Sequence, residues 1–188
     1  MRILALAALA ILAQDKPKLD DFYKFKTDTT WTYKVFEDGK DKKIVGRVVG
    51  EEEGKVKLDW KKYDKDGTVQ ETSVVTWSVG DGKLTVESRP ENGDGPVLAF
   101  SVLKDGAKQN DRWSSTGAEM VHMGTTEIAV PQGNYKAAIW TQLKLGEAGN
   151  EIKVDFYLAP KVGLIMVLVH PPDGNDTRFE LAEFKEAK

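Results

Sequence analysis

Polar and apolar residues alternate along most of this chain. In 151–158, Ile152, Val154, Phe156 and Leu158 alternate with Glu151, Lys153, Asp155 and Tyr157. This period of two sends successive side chains to opposite faces of a strand, and a helix with about 3.6 residues per turn cannot use it. Ala159-Pro160 stops the run and Gly163 opens another, G-L-I-M-V-L-V-H, which R-F-E-L-A-E-F follows, so the tail reads as consecutive antiparallel strands. Upstream, T-T-W-T-Y-K-V-F-E places Trp31, Tyr33 and Val35 on one face, and K-V-K-L-D-W groups Val56, Leu58 and Trp60. Further short runs are T-V-Q-E-T-S-V-V-T-W-S-V, K-L-T-V-E-S and V-L-A-F-S-V.

Turn chemistry agrees with the pattern. Asp-Gly occurs at Asp38-Gly39, Asp66-Gly67, Asp81-Gly82, Asp94-Gly95, Asp105-Gly106 and Asp173-Gly174. It is a strong short-range hairpin signal, because type I′ turns need positive φ at both central residues. No stretch after the first residues carries a sustained helical stripe. The prediction is an all-β protein, an antiparallel meander of about ten strands over a single domain at 29–188, preceded by a polar, loose lead-in at 14–28 with room for a short helix. With no helix to cover its apolar side, the sheet must curl on itself into a strongly curved sheet or barrel.

Landmarks recur at offsets of about 80 residues, the size of a five-strand unit. Trp31, Trp60 and Gly82-x-Leu84 have counterparts in Trp113, Trp140 and Gly163-Leu164. The reading is a pair of five-strand repeats, 29–89 and 111–170, joined through the turn-rich R-P-E-N-G-D-G-P.

Composition changes this picture at one end. M-R-I-L-A-L-A-A-L-A-I-L-A has one positive charge, then an apolar run too short to span a bilayer comfortably. Ala8, Ala10 and Ala13 are small residues suited to cleavage, and polarity begins at Gln14-Asp15. Residues 1–13 therefore read as a signal peptide, and the protein as exported to a periplasm or beyond, with no transmembrane segment after processing. The absence of cysteine among the 188 residues rules out disulfides, a thiol nucleophile and a cysteine lipid anchor. Net charge is −3 with both signs interspersed, so no surface for nucleic acid is indicated.

The motifs K-T-D-T-T-W-T-Y, V-P-Q-G-N-Y-K-A and Y-L-A-P-K-V-G-L resemble a widespread group of uncharacterised bacterial secreted β-proteins, whose pattern is K-x-G-x-x-W-x-Y, V-P-x-G-x-[FY]-x-A and Y-x-A-P-x-V-G-L. Asp28 stands where that group usually has Gly. The resemblance implies a curved or barrel-like antiparallel sheet and brings no catalytic residues with it.

Candidate chemistry is sparse. Met120, His122, Met123, Met166 and His170 would suit copper as a thioether and imidazole set, but strand alternation turns Met123 away from Met120 and His122, and methionine commonly fills core gaps. Asp64, Asp66 and Glu71 look like a calcium loop, yet Gly67 falls at the fourth position instead of the sixth, so a hairpin accounts for them better. Ser114 and Ser115 lack a nucleophile-elbow context, and Asn175-Asp176-Thr177 is a common sequon. No catalytic residue, metal ligand or cofactor is assigned. What remains are bulky residues, Trp31, Tyr33, Trp60, Trp113, Phe156 and Leu158, expected to line an apolar cavity open at one end. The expected role is an exported, non-enzymatic β-domain holding an apolar small molecule or an envelope protein partner. The alternative is an extracytoplasmic hydrolase.

Overall fold

A computed structural model describes residues 17–37, 40–92, 97–147 and 149–188. The turns at Asp38-Gly39 and Asp94-Gly95, the leader at 1–13 and residues 14–16 of the lead-in lie outside them. Among the described residues, a single 3₁₀ turn at Leu19–Phe22 precedes twelve strands. They are β1 (Thr30–Glu37), β2 (Lys40–Glu52), β3 (Lys55–Tyr63), β4 (Val69–Gly80), β5 (Lys83–Pro90) and β6 (Leu98–Lys104). The second half holds β7 (Arg112–Ser115), β8 (Ala118–Val130), β9 (Gly133–Leu145), β10 (Ile152–Ala159), β11 (Gly163–His170) and β12 (Thr177–Lys185).

All twelve form one antiparallel sheet in the order β6-β5-β4-β3-β2-β1-β12-β11-β10-β9-β8-β7. Each strand pairs with its neighbour in sequence except β6 and β7, and β1 closes on β12. The result is a nearly closed barrel-like sheet, all-β and strongly curved as expected, with more strands than about ten. Four strands, β2, β7, β8 and β9, lie outside the alternating runs named above. β2 has glycine between Ile44 and Val48, and β7 is only four residues long. The stretches 29–89 and 111–170 hold β1–β5 and β7–β11. Trp31 and Trp113 stand second in β1 and β7, and Trp60 and Trp140 lie on β3 and β9.

Of the four Asp-Gly pairs among the described residues, Asp81-Gly82 has positive φ at both positions, 50° and 67°, Asp66-Gly67 and Asp105-Gly106 have it only at the glycine, and Asp173-Gly174 at neither. Glu53-Gly54 and Thr116-Gly117 have positive φ at both positions without an aspartate. The Asp64 carboxylate accepts from the backbone N–H groups of Asp66 (3.0 Å) and Thr68 (2.9 Å), closing the β3–β4 turn as a hairpin.

The inner face is set by cross-strand rows. One runs Trp31, Gly46, Trp60, Ser73 and Pro90 over β1 to β5, and the next runs Tyr33, Ile44, Lys62 and Glu71. A third runs Lys42, Val35, Phe179, Val167 and Phe156 over β2, β1, β12, β11 and β10. A Cβ on Gly46 would sit 2.8 Å from the Trp60 ring, so the bare backbone there makes room for the indole. A large cluster centred on Trp31, Tyr33, Leu58, Leu84, Leu158 and Leu181 fills most of this face. A smaller one gathers Trp113, Ala118, Met120 and Leu143, and Phe100 and Phe156 pack against both.

The lead-in is not loose. Phe22 and Tyr23 are buried, and Phe25 meets Trp31 edge-on at 4.8 Å. The Lys161 N–H donates to the Asp21 carbonyl, and Gly163, at φ 81°, leaves room for the Phe22 carbonyl and Phe25 ring. The lead-in closes the end of the sheet where Trp31 lies.

Candidate functional site

Beyond the plugged end, the inner face keeps an open cleft. One region, about 170 Å3, is walled by Tyr33, Ile44, Trp60, Leu164, Val167 and Phe179 and is almost wholly apolar. The adjoining region, about 230 Å3, shares Ile44, Trp60 and Phe179 and adds Lys62, Glu71, Ser73 and Ser88. The three rows explain this division. Large apolar residues stand in register on β1, β11 and β12, whereas β3, β4 and β5 present ions and hydroxyls one position further along. Trp60, with Ile44 and Phe179, borders both regions and is stacked on Tyr33 at 5.4 Å.

Charged groups border the polar region through Lys62. Lys42 bonds to Glu37, and the Lys62 ammonium lies 3.9 Å from the same carboxylate. The three side chains are partly buried, with exposures of 27%, 29% and 34% for Lys42, Lys62 and Glu37. Glu71 is exposed.

The six expected cavity residues separate. Trp31, Tyr33 and Trp60 meet around a void of only about 10 Å3 against the lead-in, the size of a single water at most. Tyr33 and Trp60 also wall the cleft. Leu158 is fully buried in the large cluster, Trp113 belongs to the small one, and Phe156 packs between the two.

Three of these residues use a polar end to bond backbone. β12 pairs with β11 only over Thr177–Val169 to Glu180–Met166, so β11 has carbonyls that no β12 strand meets. Trp31 Nε1 donates to the Val162 carbonyl and the Tyr33 hydroxyl to that of Leu164, both at 2.7 Å. Burial pushes the Tyr33 phenol far above its usual value, so it stays a donor. At the other break, between β6 and β7, Trp113 Nε1 donates to the Ser101 carbonyl at 2.7 Å, and Ser115 Oγ accepts from the Ser101 N–H at 2.6 Å. Thr116 and Thr141 hydroxyls donate to the carbonyls of Ala99 and Val102.

Sequence reasoning missed a second polar group. Asp155, which alternates with the apolar residues of β10, is 5% exposed. Its Oδ1 accepts from Trp140 Nε1 and Gln142 Nε2, both at 2.9 Å, and its Oδ2 lies 3.1 Å from His170 Nε2. The other ring nitrogen, His170 Nδ1, meets Asp176 at 3.0 Å. Burial lowers the His170 pKa, but the hydrogen bonds to Asp176 and Asp155 outweigh it and hold the imidazole above its ordinary value. Burial, aided by the Asp155 charge, pushes Tyr157 up to about 12. His122 pairs with Thr141, between Trp140 and Gln142 on β9, and so lies on the opposite face of the sheet from this group. It is buried, its Nδ1 has no partner among the described residues, and burial lowers its pKa against a smaller opposing effect of Asp111. The signal that could have found the Asp155 group is cross-strand register, since Gln142 and Asp155 stand directly opposite on β9 and β10.

No protein-family model and no curated protein matches the sequence. Solved structures do resemble it. A "putative exported protein with YmcC-like fold" from Bacteroides fragilis NCTC 9343 matches with a TM-score of 0.59 at 13% identity, over 88% of this chain and 99% of that one. A "putative lipoprotein" from Parabacteroides distasonis ATCC 8503 matches with a TM-score of 0.61 at 14% identity, over 92% of this chain and all of the other. At these identities the likeness is one of fold.

Proposed function

We propose that this chain is an exported, non-enzymatic β-domain that holds an apolar small molecule in the cleft of its inner face. One observation carries the reading: a region of the cleft of about 170 Å3 is walled by Tyr33, Ile44, Trp60, Leu164, Val167 and Phe179, an almost wholly apolar lining. Sites for small molecules are typically concave, mostly apolar and furnished with a few polar groups. Export is supported by the signal-peptide pattern at 1–13 and by the descriptions of the two structural neighbours.

Titrating the purified chain with an environment-sensitive fluorescent fatty acid tests the reading. Saturable binding with a stoichiometry near one is expected, and Trp60→Ala should change it more than Trp113→Ala. Absence of saturable binding would leave a partner-binding envelope domain. The hydrolase alternative would draw on Asp155 and His170, a carboxylate orienting an imidazole. Both ring nitrogens of His170 are engaged by carboxylates, however, which leaves neither for a nucleophile.

A further inference from the structure

The cleft changes chemistry along its length, and that change constrains its occupant. A ligand apolar from end to end would press against Lys62, Ser73 and Ser88 and strip them of water without replacing the lost hydrogen bonds, which is costly. A ligand polar throughout would gain nothing against Tyr33, Leu164 and Val167. The lead-in and Trp31 fill the space beyond Tyr33 and Trp60, so a tail in the apolar region reaches no further than these rings and its other end lies toward Lys62, Ser73 and Ser88. The occupant is an amphiphile with one polar end.

The charge of that end follows from Lys62 and the partly buried groups beside it. Two ammoniums, Lys42 and Lys62, share the Glu37 carboxylate, so the half-buried positions carry an excess positive charge. Lys42 is in close contact with Glu37, whereas Lys62 at 3.9 Å is near the limit of an ion pair and turns into the cleft. Glu71 stands opposite Lys62 in register but is exposed, where water screens it. Building on the carrier reading above, we propose that the cleft takes a carboxylic acid with a medium-length acyl tail, its carboxylate on the Lys62 ammonium and its tail between Trp60, Val167 and Phe179.

Displacement of Nile red, a neutral apolar dye, by decanoic acid and by decanol tests this on the full chain. The two displacers share a tail and differ in the head. Decanoate should displace the dye at roughly tenfold lower concentration than decanol, as a charge-assisted contact implies. Lys62→Met should remove that preference, and Lys62→Arg, which keeps the charge and checks that the strand still folds, should retain it. Equal displacement by acid and alcohol, or a preference that survives Lys62→Met, overturns the assignment of the head while leaving the carrier reading in place. If neither the dye nor either displacer binds, the carrier reading fails and the assignment with it.

Discussion

Trp31, Tyr33 and Trp113 combine two kinds of work in one side chain. Their rings fill the inner face, and their single polar atoms bond backbone carbonyls where the ladder is interrupted. Buried indole and phenol groups usually find such partners. The sequence pattern showed the rings, because apolar faces have a period; the carbonyls they reach are fixed only by tertiary register. Tyr33→Phe keeps the ring and strands the Leu164 carbonyl, so it should cost about 1–3 kcal/mol in chemical denaturation. A cost near zero would mean that water satisfies that carbonyl. Histidine chemistry was equally hidden, since nothing local marks His170 as sitting between two carboxylates. Its folded-state pKa is raised, so its contribution to stability is complete below the unfolded value of about 6.5 and fades as pH rises through the folded value. His122 has the opposite sign: its folded pKa is lowered, so stability is lost as pH falls from the unfolded value toward the folded one. Asp176→Asn should therefore lower the denaturation midpoint chiefly on the acid side of neutrality, flattening the His170 contribution and exposing that of His122. An unchanged pH profile would show that the Asp176 contact is not made in solution.

At the scale of elements, alternation and turn residues located most strands, and the exceptions have physical causes. β2 departs from a simple pattern because Gly46 yields its place to the Trp60 ring, and β7 is too short to show a period. The lead-in was harder still. Phe22, Tyr23 and Phe25 are nearly adjacent, with neither helical nor strand spacing, inside an otherwise polar segment. Their burial follows from a gap in the sheet: β12 leaves β11 after Glu180, and the 3₁₀ turn docks beside the freed start of β11. The Gln132 N–H reaches the Leu181 carbonyl at 3.0 Å, so the β8–β9 hairpin contributes at the same place. Phe22→Ala should cost about 3–5 kcal/mol, as truncating a fully buried aromatic does, and should raise dye binding by opening the plugged end. A loss below about 1 kcal/mol would show that the lead-in is dispensable packing.

The curl of the whole molecule was legible from an absence, since a sheet with one apolar side and no covering helix has to face itself. The place where the sheet stays open was not. It falls between β6 and β7, in mid-chain, while the strands nearest the two ends of the domain, β1 and β12, pair with each other. If 29–89 and 111–170 descend from one ancestral unit, β1–β5 should superpose on β7–β11 with Trp31 over Trp113 and Trp60 over Trp140; a mismatch of strands would make the spacing a coincidence. The break also bears on how the chain folds. Every ladder but one joins strands that are consecutive in sequence, and the exception pairs Thr30 with Lys185. That single closure carries the long-loop entropy that slows folding. The Ala187 N–H already bonds to Thr29 Oγ1 at 3.2 Å, so the two ends of the domain are neighbours. A circular permutant joined from Lys188 through a short linker to Pro17, and cut between β6 and β7, would turn every ladder into a local hairpin. Stopped-flow tryptophan fluorescence should find it folding faster than the natural order, so that the rate reports the connection of the strands and not their number.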